Sequence, residues 1–556
     1  MGEARRKQEL ARREVADDCG LDLPAGKVRV VWDQRAAVTP LGQLPYFIEF
    51  LHLSGVWQRW LEDCPMAYTS PNAPSKADVL GTWLLSILAG HNRYSHVTAL
   101  RNDGVNPGLL GMSRVLSEDA LRRGLKHLGE REGTATAWMA SHIRNCSWGL
   151  LSAGEWILDV DATVKPLYGH QEGAVLGYNP HKPGRPSHVN HTYWASPLRL
   201  ALQVEVHPGD SSHAKHSLPG LQKLLDELGS AHKPYLVRGD KSFGSDEIMR
   251  ALEARDQPYL FKLRMSKGVQ KLVQAHLWSF DEDDWTDAGQ GWQAREGTLS
   301  LMGWDGHRRV VVLRRPVKEQ LAVEDAAQQL LGFIGTQRSI KTYEHAVLVT
   351  TLAAETFDLP MLAQLYRDRA DCENGFDELK NQWGWGGYTT QDLARCRLSA
   401  QAVALVYNWW NLYLRMIEPR KHLEAITARP LLMTAVARAS EHANQTLIRI
   451  TPLHAFAQQA IGRLQAVSAK LKECKRNAEQ LPDTTPWQLI CQHIRALLLA
   501  LNRLRCHLLP PPPALESAAN CGFMERTFTA VFWKVFSGTP SLRLSGKGLS
   551  ELLSRT

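Results

Sequence analysis

Apolar positions up to about residue 150 recur at helical spacing, in amphipathic segments broken by Gly, Asn and Pro. One segment begins near Lys76 and runs through Trp83-Leu-Leu-Ser-Ile-Leu to Gly90. Another is expected to be capped by Ser117, with Glu118 and Asp119 in its first turn and Leu121, Leu125 and Leu128 along one face. Exposed Arg122, Arg123 and Lys126 suit a small helical DNA-binding module, although helical domains of this size serve many other ends.

From Trp156 the period shortens to that of strands. In Trp156-Ile-Leu-Asp159-Val-Asp161-Ala-Thr163, Leu158 and Val160 fall on one face and both aspartates on the other. A second strand alternates Leu198, Leu200, Leu202, Val204 and Val206 with Arg199, Gln203 and Glu205. Between them, Gly177-Tyr-Asn-Pro-His-Lys-Pro-Gly-Arg-Pro reads as a loop. A helix follows from about Ser217 to Leu228, stopped by Gly229. Then come a strand from Tyr235 to Arg238, a turn at Gly239-Asp240, a helix capped by Ser245 and a strand from Tyr259 to Leu263. Strands first, then helix, strand, helix and strand predict a mixed α/β sheet with helices packed against it.

Residues 265–354 change character again. Trp278, Trp285, Trp292 and Trp304 sit among Gly and Asp, and Arg308 to Leu313 and Ala346 to Thr351 read as strands, so a β-rich insertion is expected. Beyond Met416 the chain reads as helical and basic, interrupted by Pro510-Pro-Pro-Pro513, a stiff polyproline II spacer. The expected organisation is a helical N-terminal DNA-binding region (1–150), the first part of a core (151–264), the insertion (265–354), the remainder of the core (355–415) and a basic helical C-terminal region (416–556).

A length of 556 residues exceeds what one hydrophobic core usually holds. The net charge of +8 is unevenly spread: thirteen Lys/Arg face five Asp/Glu between Arg420 and Arg505, which suits a polyanionic partner or a solubilising tail. Nine cysteines run from Cys19 to Cys521 with no CxxC pair, which argues against a disulfide framework or a zinc site and for a reducing compartment. No apolar signal core follows the first residues and no run is long enough to span a bilayer, so a soluble, cytoplasmic, nucleoid-associated protein is expected.

The candidate chemistry lies in Tyr366-Arg-Asp-Arg369-Ala-Asp-Cys-Glu373-Asn-Gly-Phe-Asp-Glu-Leu-Lys380. On one helix, Tyr366, Arg369, Glu373 and Lys380 stand at i, i+3, i+7 and i+14, within roughly a 60° arc. Alone this describes a charged surface face as well as a site. Further carboxylates stand on the first strand (Asp159 and Asp161) and at the carboxyl end of a later strand (Asp240), where α/β sites form. Three carboxylates in a small site must protonate or be neutralised by divalent metal, and hard oxygen ligands favour magnesium or manganese.

The spacing Tyr366-x2-Arg369-x3-Glu373-x6-Lys380 resembles the Y-R-E-K signature of bacterial insertion-sequence transposases of the DDE class. Leu158-Asp-Val-Asp161-Ala-Thr163 is similar to their first-aspartate strand, Val237-Arg-Gly-Asp240-Lys-Ser-Phe-Gly to their second, and Gly177 to Ser187 to a segment of one branch. The resemblance covers about Trp156 to Tyr413. It implies an RNase H-like core with a β insertion before the glutamate helix. It also implies that Asp161, Asp240 and Glu373 are catalytic and hold two Mg2+ ions, for which Mn2+ substitutes. Tyr366, Arg369 and Lys380 would grip phosphates beside the scissile bond. Periodicity does not choose between Asp159 and Asp161; the family's D-x-T pattern selects Asp161. The implied activity is cut-and-paste excision and strand transfer by a dimer assembled on terminal inverted repeats and target double-stranded DNA. Related enzymes pass through a DNA hairpin, with an aromatic residue holding an unstacked base.

Two rivals stand beside this: a metal-dependent nuclease without strand transfer, and a transposase-derived DNA-binding protein that has lost chemistry. Glu378-Leu379-Lys380 imitates the E-x-K of another nuclease fold, but the leucine spacing suits a helix. His181, His188, His191, His213 and His216 are expected as surface or DNA-facing residues of loops, and Asp281-Glu-Asp-Asp284 as a solvated turn. Trp383, Trp385 or an insertion tryptophan are candidates to stack on a base, while Trp409 and Trp410 read as core.

Overall fold

The computed structural model describes residues 19–24, 26–30, 36–179, 182–210, 213–278, 284–316, 343–443, 445–451 and 457–501. Strands β1 (Cys19–Leu23) and β2 (Gly26–Val30) pair antiparallel ahead of β3 (Ala37–Thr39), so the N-terminal region is not wholly helical. The helices that follow form for the reasons their sequence gives. Ser75 caps Lys76–Leu88 by accepting the Asp78 amide at 3.0 Å. Ser117 caps Glu118–Gly129 by accepting the Ala120 amide, and Leu121, Leu125 and Leu128 are buried.

The central sheet contains β4 (Ile157–Pro166), β5 (Ser187–Ser196), β6 (Leu200–Pro208), β7 (Leu236–Gly239) and β8 (Tyr259–Lys262). To these are added β9 (Thr286–Gly289), β10 (Trp292–Leu299), β11 (Arg308–Pro316) and β12 (Tyr343–Thr350). The order is β6-β5-β4-β7-β8-β12-β11-β10-β9. β4, β7 and β8 are mutually parallel, while β5 and β6 run antiparallel on one side. On the other side β12 joins β8 antiparallel, so the strands of residues 265–354 continue the sheet. The helix Lys267–Trp278 belongs to the same stretch. Successive valines of β11 and β12 alternate between two apolar clusters, Val310, Val312, Val347 and Val349 in one and Val311 and Leu348 in the other. Both sheet faces are therefore covered, which is why these strands read as continuous apolar runs.

β5 was not legible as a strand. All ten of its residues are buried although six are His, Asn, Ser or Thr, so it offers no apolar alternation. The helix Leu393–Ile417 is buried on every side from Leu398 onward and packs on β6 and on the helices before residue 150. Trp409 and Trp410 lie in this core.

The C-terminal region departs from the helical expectation. β13 (Ala437–His442) and β14 (Gln445–Ile450) form a hairpin, and β13 pairs with β3, Ala437 opposite Thr39. Two helices follow, Ala457–Gln480 and Pro486–Ala500. Trp487 of the second packs 6.3 Å from Phe50, ring centre to ring centre, and donates to the Asn145 carbonyl at 3.0 Å. Segments from the two ends of the described chain thus share one core. The polyproline segment lies outside the described residues. Among the described residues no helix is long and apolar enough to cross a membrane, and Cys64, Cys146, Cys372, Cys396, Cys474 and Cys491 are buried and free.

Candidate active site

β4 and β7 lie side by side and parallel, with Asp159 opposite Arg238. Both side chains are sealed: Arg238 Nε donates to Asp159 Oδ1 at 2.6 Å and Nη2 to Oδ2 at 2.7 Å. Ser196 Oγ donates to Asp159 Oδ2 at 2.7 Å, and Arg238 Nη1 donates to the Leu365 carbonyl. Asp159 is thereby committed to a bidentate ion pair that ties β4, β5, β7 and the helix Leu359–Arg367 together.

Asp161, one pleat further along β4, keeps 16% of its side chain exposed and faces a different set of groups. Burial pushes its carboxyl up to about 7, with Arg369 opposing and Asp240 and Glu373 adding to the rise. Asp240 follows directly on β7, its Oδ1 accepting the Ser242 amide at 2.8 Å. Glu373 is 60% exposed and accepts from Arg369 Nη1 at 2.8 Å, while Arg369 Nη2 lies 3.5 Å from Asp161 Oδ2. The guanidinium thus bridges the first and third carboxylates. Tyr366 lies among the same charges, and burial pushes its hydroxyl up to about 12. Burial holds Lys380 below its ordinary value while Asp161 acts the other way. The six residues expected at the site are gathered around one carboxylate cluster.

The elements carrying them differ in one respect from the expected single helix. Leu359–Arg367 and Ala370–Gln382 are separate helices joined at Asp368 and Arg369. At the joint Arg369 bonds back to Tyr366 and Asp371 to Asp368, a tighter three-residue turn. No Pro or Gly marks this joint, so periodicity alone treats the stretch as one helix. The second helix is seated by Gly375: a Cβ there would lie 2.6 Å from Trp194 Cζ2 of β5. Its first turn is fixed by Arg199, whose Nε donates to both oxygens of Asp371 at 3.0 and 2.9 Å. Glu378 faces inward, accepting from Trp383 Nε1 at 3.1 Å and lying 2.7 Å from His422 Nε2, which removes it from any E-x-K site.

Several expected surface groups are interior. Trp383 and Trp385 are core residues and cannot stack on a base. Trp285, Trp292 and Trp304 are covered by the guanidinium groups of Arg314, Arg315 and Arg308. His188 and His191 are buried in β5 and not in a loop, because their rings bond within the fold: His188 Nε2 lies 2.8 Å from the Glu172 carbonyl and His191 Nδ1 2.6 Å from Ser217 Oγ. His213 and His216 belong to the helix His213–Leu228. His181 and Asp281 to Asp283 lie outside the described residues. The aromatic signal missed in the sequence is Tyr178, 66% exposed, with Lys241 Nζ 5.9 Å from its ring centre. Lys241 follows Asp240 in the chain, and Tyr178 and Lys241 border a cavity of about 970 Å³ that also takes in Arg264 and His345.

An all-oxygen donor set of Asp161, Asp240 and Glu373, one member held near neutrality by burial and like charge, fits a divalent cation. The family model for a transposase DDE domain, group 1, matches residues 70–472. No curated protein matches the chain. A solved synaptic complex of piggyBac transposase with hairpin DNA is similar at 10% identity and a TM-score of 0.38, covering 89% of this chain and 91% of that one.

Proposed function

We propose, given that the chain belongs to the transposase DDE domain group 1 family, that it is a cut-and-paste DNA transposase using Asp161, Asp240 and Glu373. The observation that carries this reading is the gathering of Asp240, Glu373 and Arg369 around Asp161. The strand order β6-β5-β4-β7-β8, antiparallel then parallel, supports an RNase H-like core, into which residues 265–354 are inserted before the Glu373 helix. Asp161 is favoured over Asp159 because both Asp159 oxygens are occupied by Arg238 and Ser196.

Asp161, Asp240 and Glu373 would hold two Mg2+ ions, which supply activation of a water or 3′-hydroxyl and stabilisation of the leaving oxygen at phosphorus. Arg369, oriented by Asp161 and Glu373, offers a fixed guanidinium to a phosphate oxygen. Tyr366 stays protonated at neutral pH and donates a neutral hydrogen bond. Lys380 adds a cation on the Asp161 side. Where a hairpin forms, the exposed ring of Tyr178 is placed in this reading to hold the unstacked base. The basic C-terminal residues and the N-terminal helices bind the ends as a dimer, with affinity falling steeply as salt rises.

The test is incubation of the protein in magnesium with a duplex bearing the repeats that flank its reading frame, together with a target plasmid. Joined products are expected. Cleavage without joining would favour a nuclease, and sequence-specific binding without nicking a protein that has lost chemistry.

A further inference from the structure

On the face of the sheet opposite Asp161, a second group of ligating side chains is assembled that the transposition chemistry does not use. Asp161 pairs with Thr192 of β5, so the residues flanking Thr192, His191 and Tyr193, point to the other face. His191 stands directly across from Glu205 of β6, and His207 lies two residues further along the same face. One ligating atom from each of His191, Glu205 and His207 lies within 4.8 Å of the other two. His207 Nε2 and Glu205 Oε2 are 3.3 Å apart, about the edge of a tetrahedron with bonds of roughly 2.0–2.1 Å.

The surroundings resemble those of an ordered metal site. Ser217 Oγ, 2.6 Å from His191 Nδ1, fixes the orientation of that ring. The His216 ring centre is 5.3 Å from that of His207, bringing a third imidazole beside the group from the helix His213–Leu228. That helix is pressed close: a Cβ on Gly220 would lie 2.4 Å from Glu205 Oε1. We propose that His191, Glu205 and His207 bind a zinc ion, with His216 completing a closed structural site that fastens the helix His213–Leu228 to the β5–β6 edge. Imidazole with a single carboxylate suits zinc better than the magnesium expected among oxygens alone.

The test uses the full-length protein. Zinc titration with metal analysis after dialysis, and the visible spectrum after cobalt substitution, are measured for the wild type, His207→Ala, Glu205→Gln, Ser217→Ala and Asp161→Asn. The wild type and Asp161→Asn are expected to retain one tightly held zinc with a tetrahedral cobalt spectrum. His207→Ala should lose it, and Ser217→Ala should weaken it about 10–100-fold. Glu205→Gln preserves the side-chain shape should the alanine variant fail to fold, and it too should lose the ion. Absence of tight zinc in the wild type overturns the proposal. So does zinc that is lost in Asp161→Asn or retained in both His207→Ala and Glu205→Gln. Strand joining is not read in this experiment, so its outcome is independent of the transposase reading.

Discussion

Asp159 and Asp161 share a strand face, yet removing them should have opposite consequences. Asp159→Ala leaves the sealed Arg238 guanidinium without its carboxylate, and a loss of about 3–5 kcal/mol is expected in denaturant unfolding. Asp161→Asn, Asp240→Asn and Glu373→Gln should keep the fold while magnesium-dependent nicking falls by at least about 10³-fold, the scale of losing a principal electrostatic stabiliser. The proton on Asp161 gives a second measurement. Its folded value is raised to about 7 from an ordinary 3.8, so the stabilisation it brings is full below the lower value and lost as pH rises through the upper one. In chelator, the wild type should lose roughly 2–4 kcal/mol relative to Asp161→Asn across that window in parallel melts. The D-x-T pattern pointed to Asp161, but its physical reason was not legible: Arg238, which occupies Asp159, stands 79 residues away in sequence.

The glutamate helix depends on a close approach to the sheet. Gly375→Ala would drive a methyl group against the buried Trp194 ring, forcing the helix outward and Glu373 with it. Strand cleavage should fall more than tenfold at saturating magnesium, corresponding to about 1.4 kcal/mol or more, while far-UV circular dichroism is retained. Tyr178→Ala should leave first-strand nicking intact and reduce base unstacking, read by 2-aminopurine fluorescence beside the cleavage site. At this scale the strands β4, β6, β7 and β8 and the cap at Ser117 were legible because alternation and N-cap chemistry are local. β5 hid because polar residues buried on both faces leave no period, and the joint at Asp368 because no breaker residue marks it. The β13–β14 hairpin hid because its residues are mostly exposed or half-buried and lack an apolar face.

Across the whole molecule, the last described helix completes a core begun near residue 44. Trp487→Ala should therefore cost about 3–5 kcal/mol in global unfolding although the residue lies far from the carboxylates in sequence. The basic surplus after residue 420 was visible in composition. That this region also supplies core was not, since its contacts with Phe50 and Asn145 span more than 300 residues.

The pairing of β3 with β13 carries a consequence for the chain during its synthesis. Thr39 meets Ala437, so the sheet that joins them cannot close until the ribosome has passed both. At about 5–20 residues per second, nearly 400 residues of elongation occupy roughly 20–80 s. Until residues 409–413 and then 487 have been made, Phe47, Phe50 and Trp60, all destined for the interior, lack the aromatic partners those residues supply. A nascent chain with this connectivity has a long window in which chaperone shielding decides how much of it reaches the folded state.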